Sequence, residues 1–296
     1  MDQEHSNRLI TIQQQVKNHN LDALIISDKA SIDYYTGVIF DPMERFWLLI
    51  IQPDKGPQII ANKLFVFDEL ADVDVTWVDD NYTIAEAFAN LADFPATDAP
   101  LRIGVDKLWR ADQLLAIAKT YNQATFEVGS DLVDAQRAIK TAEEQEKMRK
   151  ASDINDRAMA RLIEEVLPLG LDELAAVDQL ARIYDEEGAD AGFSFEPIIA
   201  YGSNGADPHH ESDHTLPKLG DSIVIDIGCK HEGYCSDMTR TVYYGEPSAE
   251  AKRVYDIVLE ANLRGINAVK VGETLANVDA AARDYITAQG YGDQFT

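Results

Sequence analysis

The sequence predicts two consecutive domains, an α/β unit over residues 1–124 and an α+β unit over 125–296. Three observations carry this. Short apolar runs alternate with helical periods through the first part of the chain. The character changes near residues 120–135 to long amphipathic helical patterns. A nearly all-apolar run, Ser222 to Cys229, then precedes a return run, Tyr234 to Tyr244, with helix pairs on both sides. Such an alternation implies a small mixed sheet with helices packed on it, followed by a helix-helix-sheet-helix-helix arrangement. At 296 residues the chain is comfortable for two domains.

In the first domain, "SNRLITIQQQVKNHN" places Leu9, Ile12 and Val16 at helical spacing, and "LDALIISD" follows as a short buried strand. "RFWLLIIQ" is a second strand, ended by the turn signal "PDKGPQ". "DVTWVD" and "LRIGVD" are two more strands, with the helix "TIAEAFANLADF" and the loop "DFPATDAP" between them. In the second domain, the stretch from "QRAIKTAEEQ" to "VLPLG" predicts one long helix or a helix pair. Met148, Ala151, Ile154, Ala158, Leu162 and Val166 form its stripe, and it stops at Pro168 and Gly170. "LDELAAVDQLARIYDEEG" is another helix, with Leu174, Val177, Leu180 and Ile183 inward. The strand runs "FEPIIAYG" and "DSIVIDIG" flank a polar, histidine-bearing loop. "SAEAKRVYDIVLEANLRGINAV" and "TLANVDAAARDYITAQG" close the chain as helices.

Composition excludes several classes. Apolar residues make up 46% and charged residues 26% of the chain, as in ordinary globular proteins. There is no run of eighteen apolar residues, and the N-terminus has neither a cationic nor an apolar leader pattern, so the expectation is a cytoplasmic protein without a membrane span. With 52 acidic against 26 basic residues the formal charge is −26, which disfavours a nucleic-acid partner. Two cysteines, Cys229 and Cys235, indicate no disulfide framework.

The segment "IDIGCKHEGYCSDMTRT" raises a chemical question, because Asp226 and Asp237 interrupt what reads as a buried hairpin. If "KHEG" (230–233) is a four-residue loop, Asp226 lies directly across from Asp237, with Cβ atoms about 4.5–5.5 Å apart on one face. Two inward carboxylates that close repel each other. Three readings are open: a shared-proton dyad, simple hydrogen-bonded structural aspartates, or a divalent-metal site. The same pairing sets Cys235 opposite Gly228 on the aspartate face, a buried thiol near the site, and turns Cys229 away. The preceding loop "ADPHHESDH" offers His209, His210 and His214, which are either merely exposed or close enough for one imidazole to contact a substrate. His5, His19 and His231 read as structural, and Arg240 as either a substrate contact or a structural partner.

These pieces, "PIIAYGSNGADPHH" followed by "KLGDSIVIDIGCKHEGYCSDMTRTVYYG", resemble the signature of the pita-bread metallopeptidases. The first domain, with "SIDYYTG", is similar to the N-terminal domain of prolidase, aminopeptidase P and creatinase. The whole chain is most similar to Xaa-Pro dipeptidase (prolidase) of the lactic-acid-bacterial type. The resemblance implies two divalent metal ions, manganese first with cobalt or zinc as alternatives. Asp226 would be bidentate to one ion, Asp237 would bridge both, and His209 would contact the substrate near the scissile bond. It further implies hydrolysis of Xaa-Pro dipeptides with release of proline, and a homodimer. Creatinase shares the fold without the metal ligands, and methionine aminopeptidase lacks the first domain.

The family's remaining ligands, a histidine and two later glutamates, have no counterpart here, since no histidine follows Asp237. The expectation is therefore a pita-bread domain missing its C-terminal part, with weak metal binding and little peptidase activity in the 296-residue chain. An aminopeptidase acting on longer Xaa-Pro peptides and a non-catalytic binding protein on the same scaffold are the alternative readings.

Overall fold

A computed structural model describes residues 3–39, 41–67, 70, 72–83, 85–86, 88 and 100–295, which divide into two compact units, 1–140 and 141–296. The helix and loop expected over 83–100 lie largely outside the described residues.

The first unit is built on a six-stranded sheet of β1 (Ala23–Ile26), β2 (Trp47–Ile51), β3 (Gln58–Asn62), β4 (Asp74–Val78), β5 (Arg102–Val105) and β6 (Thr125–Val128), ordered β4-β3-β2-β1-β5-β6. Pairing is mixed: β1–β2 and β2–β3 are antiparallel, while β3–β4, β1–β5 and β5–β6 are parallel. Alternate residues of each central strand face opposite sides, which makes two cores. On one side Leu24, Ile26, Leu49 and Ile51 pack with Leu9, Ile12 and Val16 of α1 (Gln3–Asn18), with Ile32 and Tyr35 of α2 (Lys29–Thr36), and with Val133 of α4 (Ser130–Ala138). On the other, Ile25, Leu48, Ile50 and Ile103 pack with Ile117 of α3 (Ala111–Thr120). Because β6 is hydrogen-bonded along β5, the segment from 125 to 140 belongs to the first unit. The sequence pattern suggests a boundary at 124/125; the compact units divide at Lys140–Thr141, between the end of α4 at Ala138 and the next helix at Ala142.

The second unit opens with α5 (Ala142–Arg161). Thr141 and Glu144 form a capping box there, each side chain bonding the other's backbone amide. A π turn and a 3-10 turn then carry the chain to Gly170. Next comes α6 (Glu173–Glu187), capped by Asp172, whose carboxylate accepts from the Ala175 amide at 2.8 Å. Ala151, Ile154, Ala158, Leu162 and Val166 are buried as their spacing predicts, whereas Met148 and Leu174 are exposed. The sheet is three-stranded, ordered β11-β8-β7, from β7 (Ile198–Tyr201), β8 (Ser222–Ile227) and β11 (Met238–Tyr243), all antiparallel. Odd-numbered residues Ile223, Ile225 and Ile227 of β8, with Ile199 and Tyr201 of β7, join Ile154, Leu180, Ile183 and Tyr184 in one core. The even-numbered side chains, including Asp226, therefore occupy the face away from α5 and α6. Helices α7 (Ala249–Ala268) and α8 (Leu275–Ala288) pair around Ile257, Ala261 and Ile286. Among the described residues no helix is long and apolar enough to cross a membrane.

Candidate functional site

The hairpin that carries the aspartates is closed by a two-residue turn, where the sequence reading assumed four. Lys230–His231 (β9) and Tyr234–Cys235 (β10) pair as short strands, leaving Glu232 and Gly233 at φ 48° and 80°. Both central residues have positive φ, which is the type I′ geometry that matches strand twist. The tighter turn shifts the opposition by two residues. Asp226 faces Thr239, and in the same register Asp237 falls opposite Gly228. A two-residue shift preserves the side-chain face, so Asp226 and Asp237 stand diagonally on one surface rather than directly across from each other. That surface is not the core: Asp226 is half-buried and Asp237 is exposed.

The cysteines also move with the register. Cys229 is fully buried beside Ala151 O (3.5 Å) and Ser236 Oγ (3.4 Å), and burial pushes its thiol pKa up. Cys235 lies opposite Lys230 and is exposed, not a buried thiol near the site; both cysteines are free.

His209, Asp226 and Asp237 line one cavity of about 710 Å³ within the second unit. Its wall includes Leu174, Val177, Phe195 and Ile198, and its polar lining adds His210, Glu196 and Glu211. Strand β8 supplies Asp226, the hairpin's return arm supplies Asp237, and the loop after β7 supplies His209. Ile198 pairs with Asp226 across the ladder, and so stands beside it. The two aspartates have little protein to neutralise them. Thr239 Oγ1 donates to Asp226 Oδ1 at 2.8 Å; among the described residues, no side chain hydrogen-bonds or ion-pairs with Asp237, and no cation pairs with Asp226. Arg240 is exposed and its guanidinium donates to the Thr239 carbonyl at 2.8 Å. Two like-charged oxygen donors facing one cavity without a protein cation fit a divalent ion by their chemistry.

A second constellation was not legible from spacing. Glu173, His210 and Asp213 bring a carboxylate, an imidazole and a carboxylate within 4.8 Å of one another, a group that could hold a divalent metal ion. Among the described residues, His209, Asp226 and Asp237 do not form such a group. Glu173 is fully buried, and protein donors already surround it. Oε1 accepts from Tyr201 N at 2.8 Å and Asn204 Nδ2 at 2.9 Å. Oε2 accepts from Asp213 N at 3.0 Å and lies 2.7 Å from His210 Nε2. A buried carboxylate needs this many partners, since an unpaired one would ionise at a cost of several kcal/mol. Glu173 therefore ties the start of α6 to the loop bearing His209 and His210. Thr215 hydrogen bonds hold the Asp213 carboxyl below its ordinary pKa. In the sequence Glu173 reads only as an acidic residue in a helix's first turn, and that bland reading concealed it.

With this geometry in place, comparison with known proteins is decisive. The profile described as Metallopeptidase family M24 matches residues 146–296, and that of the Creatinase/Prolidase N-terminal domain matches residues 8–139. The chain belongs to metallopeptidase family M24. Its fold is thus a creatinase/prolidase-type N-terminal domain joined to a pita-bread domain. Among curated proteins, an uncharacterized peptidase of Staphylococcus aureus (strain USA300) is 31% identical over 281 residues, covering 95% of this chain and 78% of the relative. Among solved structures, a recombinant prolidase from Thermococcus sibiricus superposes with a TM-score of 0.87 at 29% identity, covering 99% of this chain and 80% of that one. The X-Pro aminopeptidase from Thermotoga maritima gives 0.75 at 28% identity, covering 94% and 79%. The protein is a metallopeptidase of this family, similar to prolidases, dipeptidases and an X-Pro aminopeptidase.

Proposed function

We propose that this M24 peptidase hydrolyses Xaa-Pro dipeptides, with Asp226 and Asp237 as ligands of a pair of divalent ions and His209 as the substrate-contacting histidine. One observation carries the reading: these three residues, drawn from three separate segments, face a single cavity in which, among the described residues, the aspartates have no cationic partner. Bound metal would supply an activated water and a polarised peptide carbonyl. The chain's own residues do the rest. The carboxylates hold the charge at the cavity wall, His209 offers an exposed imidazole for a substrate carbonyl or amide, and Leu174, Val177, Phe195 and Ile198 offer an apolar surface. Manganese is the first metal to test, and the same reading has the protein act in the cytoplasm as a homodimer.

The similarity to an X-Pro aminopeptidase favours a second reading, cleavage of longer Xaa-Pro peptides. A single assay separates the two: metal-depleted protein is reconstituted with Mn²⁺ and offered Ala-Pro and Ala-Pro-Ala. Where the ligand set is complete, release of proline from the dipeptide, abolished in Asp237→Ala together with metal binding, is the expected result; with Asp226 and Asp237 as the only ligands, turnover is expected to be weak. Cleavage confined to the tripeptide establishes the aminopeptidase reading instead. Turnover undiminished in Asp237→Ala overturns the ligand assignment.

A further inference from the structure

We propose that Ser194 is a positioning residue for the carboxylate pair, fixing the separation of the two hairpin arms where the β ladder itself is interrupted. The inference rests on the reading of Asp226 and Asp237 as metal ligands. Regular pairing ends at Ile227–Met238 and resumes at Lys230–Cys235, so the ladder lapses just where the arms carry the residues beside both aspartates. In that gap Ser236 N donates to Cys229 O at 2.9 Å, as an antiparallel pair requires. The reciprocal bond is diverted: Cys229 N donates to the Ser236 hydroxyl at 3.0 Å instead of to the Ser236 carbonyl. The carbonyl so released is the one whose peptide leads into Asp237.

Ser194 takes it up. Its hydroxyl donates to Ser236 O at 2.8 Å, and its own amide donates to Gly228 O at 3.0 Å, so one residue grips both arms. The neighbouring Phe193 bridges Cys229, which seats this segment along the hairpin. The close approach needs a glycine at 228, because a Cβ there would lie 2.1 Å from Ser236 O and 2.2 Å from Ser194 Oγ. On the same arm as Gly228, Asn155, fully buried, donates to Ile227 O at 3.1 Å and is itself held by the Tyr184 hydroxyl at 2.6 Å. The peptide that leads into Asp237, and the Ile227–Gly228 peptide one residue beyond Asp226, are thus each pinned by a side chain that touches neither carboxylate. Groups hydrogen-bonded to the ligands themselves change metal affinity about 10–100-fold when removed, and a group that fixes the ligand-bearing backbone acts in the same sense.

The test titrates Co²⁺ alone into the metal-depleted full chain, reading affinity by calorimetry and ligand geometry by visible absorption. Ser194→Thr keeps the hydroxyl, Ser194→Val removes it at equal size, and Ser194→Ala removes it with less bulk. The Val and Ala variants are expected to bind Co²⁺ about tenfold or more weakly with an altered spectrum, and the Thr variant to match the parent in both. Metal-free melting should stay close to the parent in all three. The proposal is overturned if Ala binds with parental affinity and spectrum, if Thr and Val weaken alike, or if affinity falls only where metal-free melting collapses. Parental Co²⁺ binding in Asp226→Asn and Asp237→Asn would instead overturn the ligand assignment beneath it.

Discussion

At the scale of the residue, Gly228 shows how closely the candidate site is packed. The atoms a methyl group would meet are Ser236 O at 2.1 Å, Ser194 Oγ at 2.2 Å and Phe195 Cε1 at 2.8 Å. The first is backbone in a hydrogen-bonded hairpin and cannot rotate away. Overpacking of this kind costs about 1–3 kcal/mol, and here it would also push the arm bearing Asp237 outward. Gly228→Ala is therefore expected to lower the urea midpoint of the second unit and to weaken metal binding together. An unchanged midpoint would mean that the hairpin arms are not held at this separation. Some of this was legible in the sequence. Asp226, Asp237 and His209 stand out as residue types that demand partners, and their spacing carried the family resemblance. Ser194, Asn155 and Glu173 did not stand out, because a serine, a helical asparagine and an acidic first-turn residue each have an ordinary reading. Only the fold shows where their hydrogen bonds go.

At the scale of the element, periodicity located the helices well, because burial enforces it; Ala151, Ile154, Ala158 and Leu162 are inward as spaced. The hairpin register was harder. "HEGY" lacks the Asn-Gly pair that announces a two-residue turn, so the loop was read as longer and the aspartates as opposed and buried. The structure puts Glu232 at φ 48°, a position that costs an ordinary L-residue about 1–2 kcal/mol and asparagine less. The contacts Glu232 would forfeit are weak ones: Lys147 Nζ at 3.9 Å and His231 Nε2 at 3.6 Å, both beyond hydrogen-bond distance, from a Glu232 side chain that is itself half exposed. The hydrogen bond its backbone N–H donates to the Asp190 carboxylate, at 2.7 Å, does not depend on the Glu232 side chain. Glu232→Asn is thus expected to raise the urea midpoint by an amount equivalent to about 0.5–1 kcal/mol, with an unchanged slope. A lower midpoint would contradict the type I′ turn, and with it the register that sets Asp226 diagonal to Asp237. Strands β3 and β6 are not announced by the sequence either: the apolar residues of β3 are confined to Ile59–Ala61 just after a turn signal, and β6 has only Phe126 and Val128, so it is their pairing in the sheet that reveals them.

At the scale of the whole molecule, the net charge of −26 and the metal site proposed at Asp226 and Asp237 both bear on the same experiment. Any added salt relieves the self-repulsion of so acidic a chain, so a divalent cation raises stability even without a site. Specific binding differs in two respects: it saturates, and it acts on the unit that holds the ligands. The two units have separate cores, so a stabilised site should move the transition of residues 141–296 and leave that of 1–140 to the salt effect alone. A ligand at one hundred times its dissociation constant contributes about 2.7 kcal/mol, which for a domain of this size corresponds to about 5–10 °C. Melting the protein with Mn²⁺ against NaCl of matched ionic strength isolates that part. The second transition is expected to rise above the salt control in the parent, and to coincide with the control in Asp226→Asn. An equal rise in both proteins would assign the effect to screening, or to the Glu173, His210 and Asp213 group. Adding His210→Ala decides between those two, because only a metal held by that group would be lost with the imidazole.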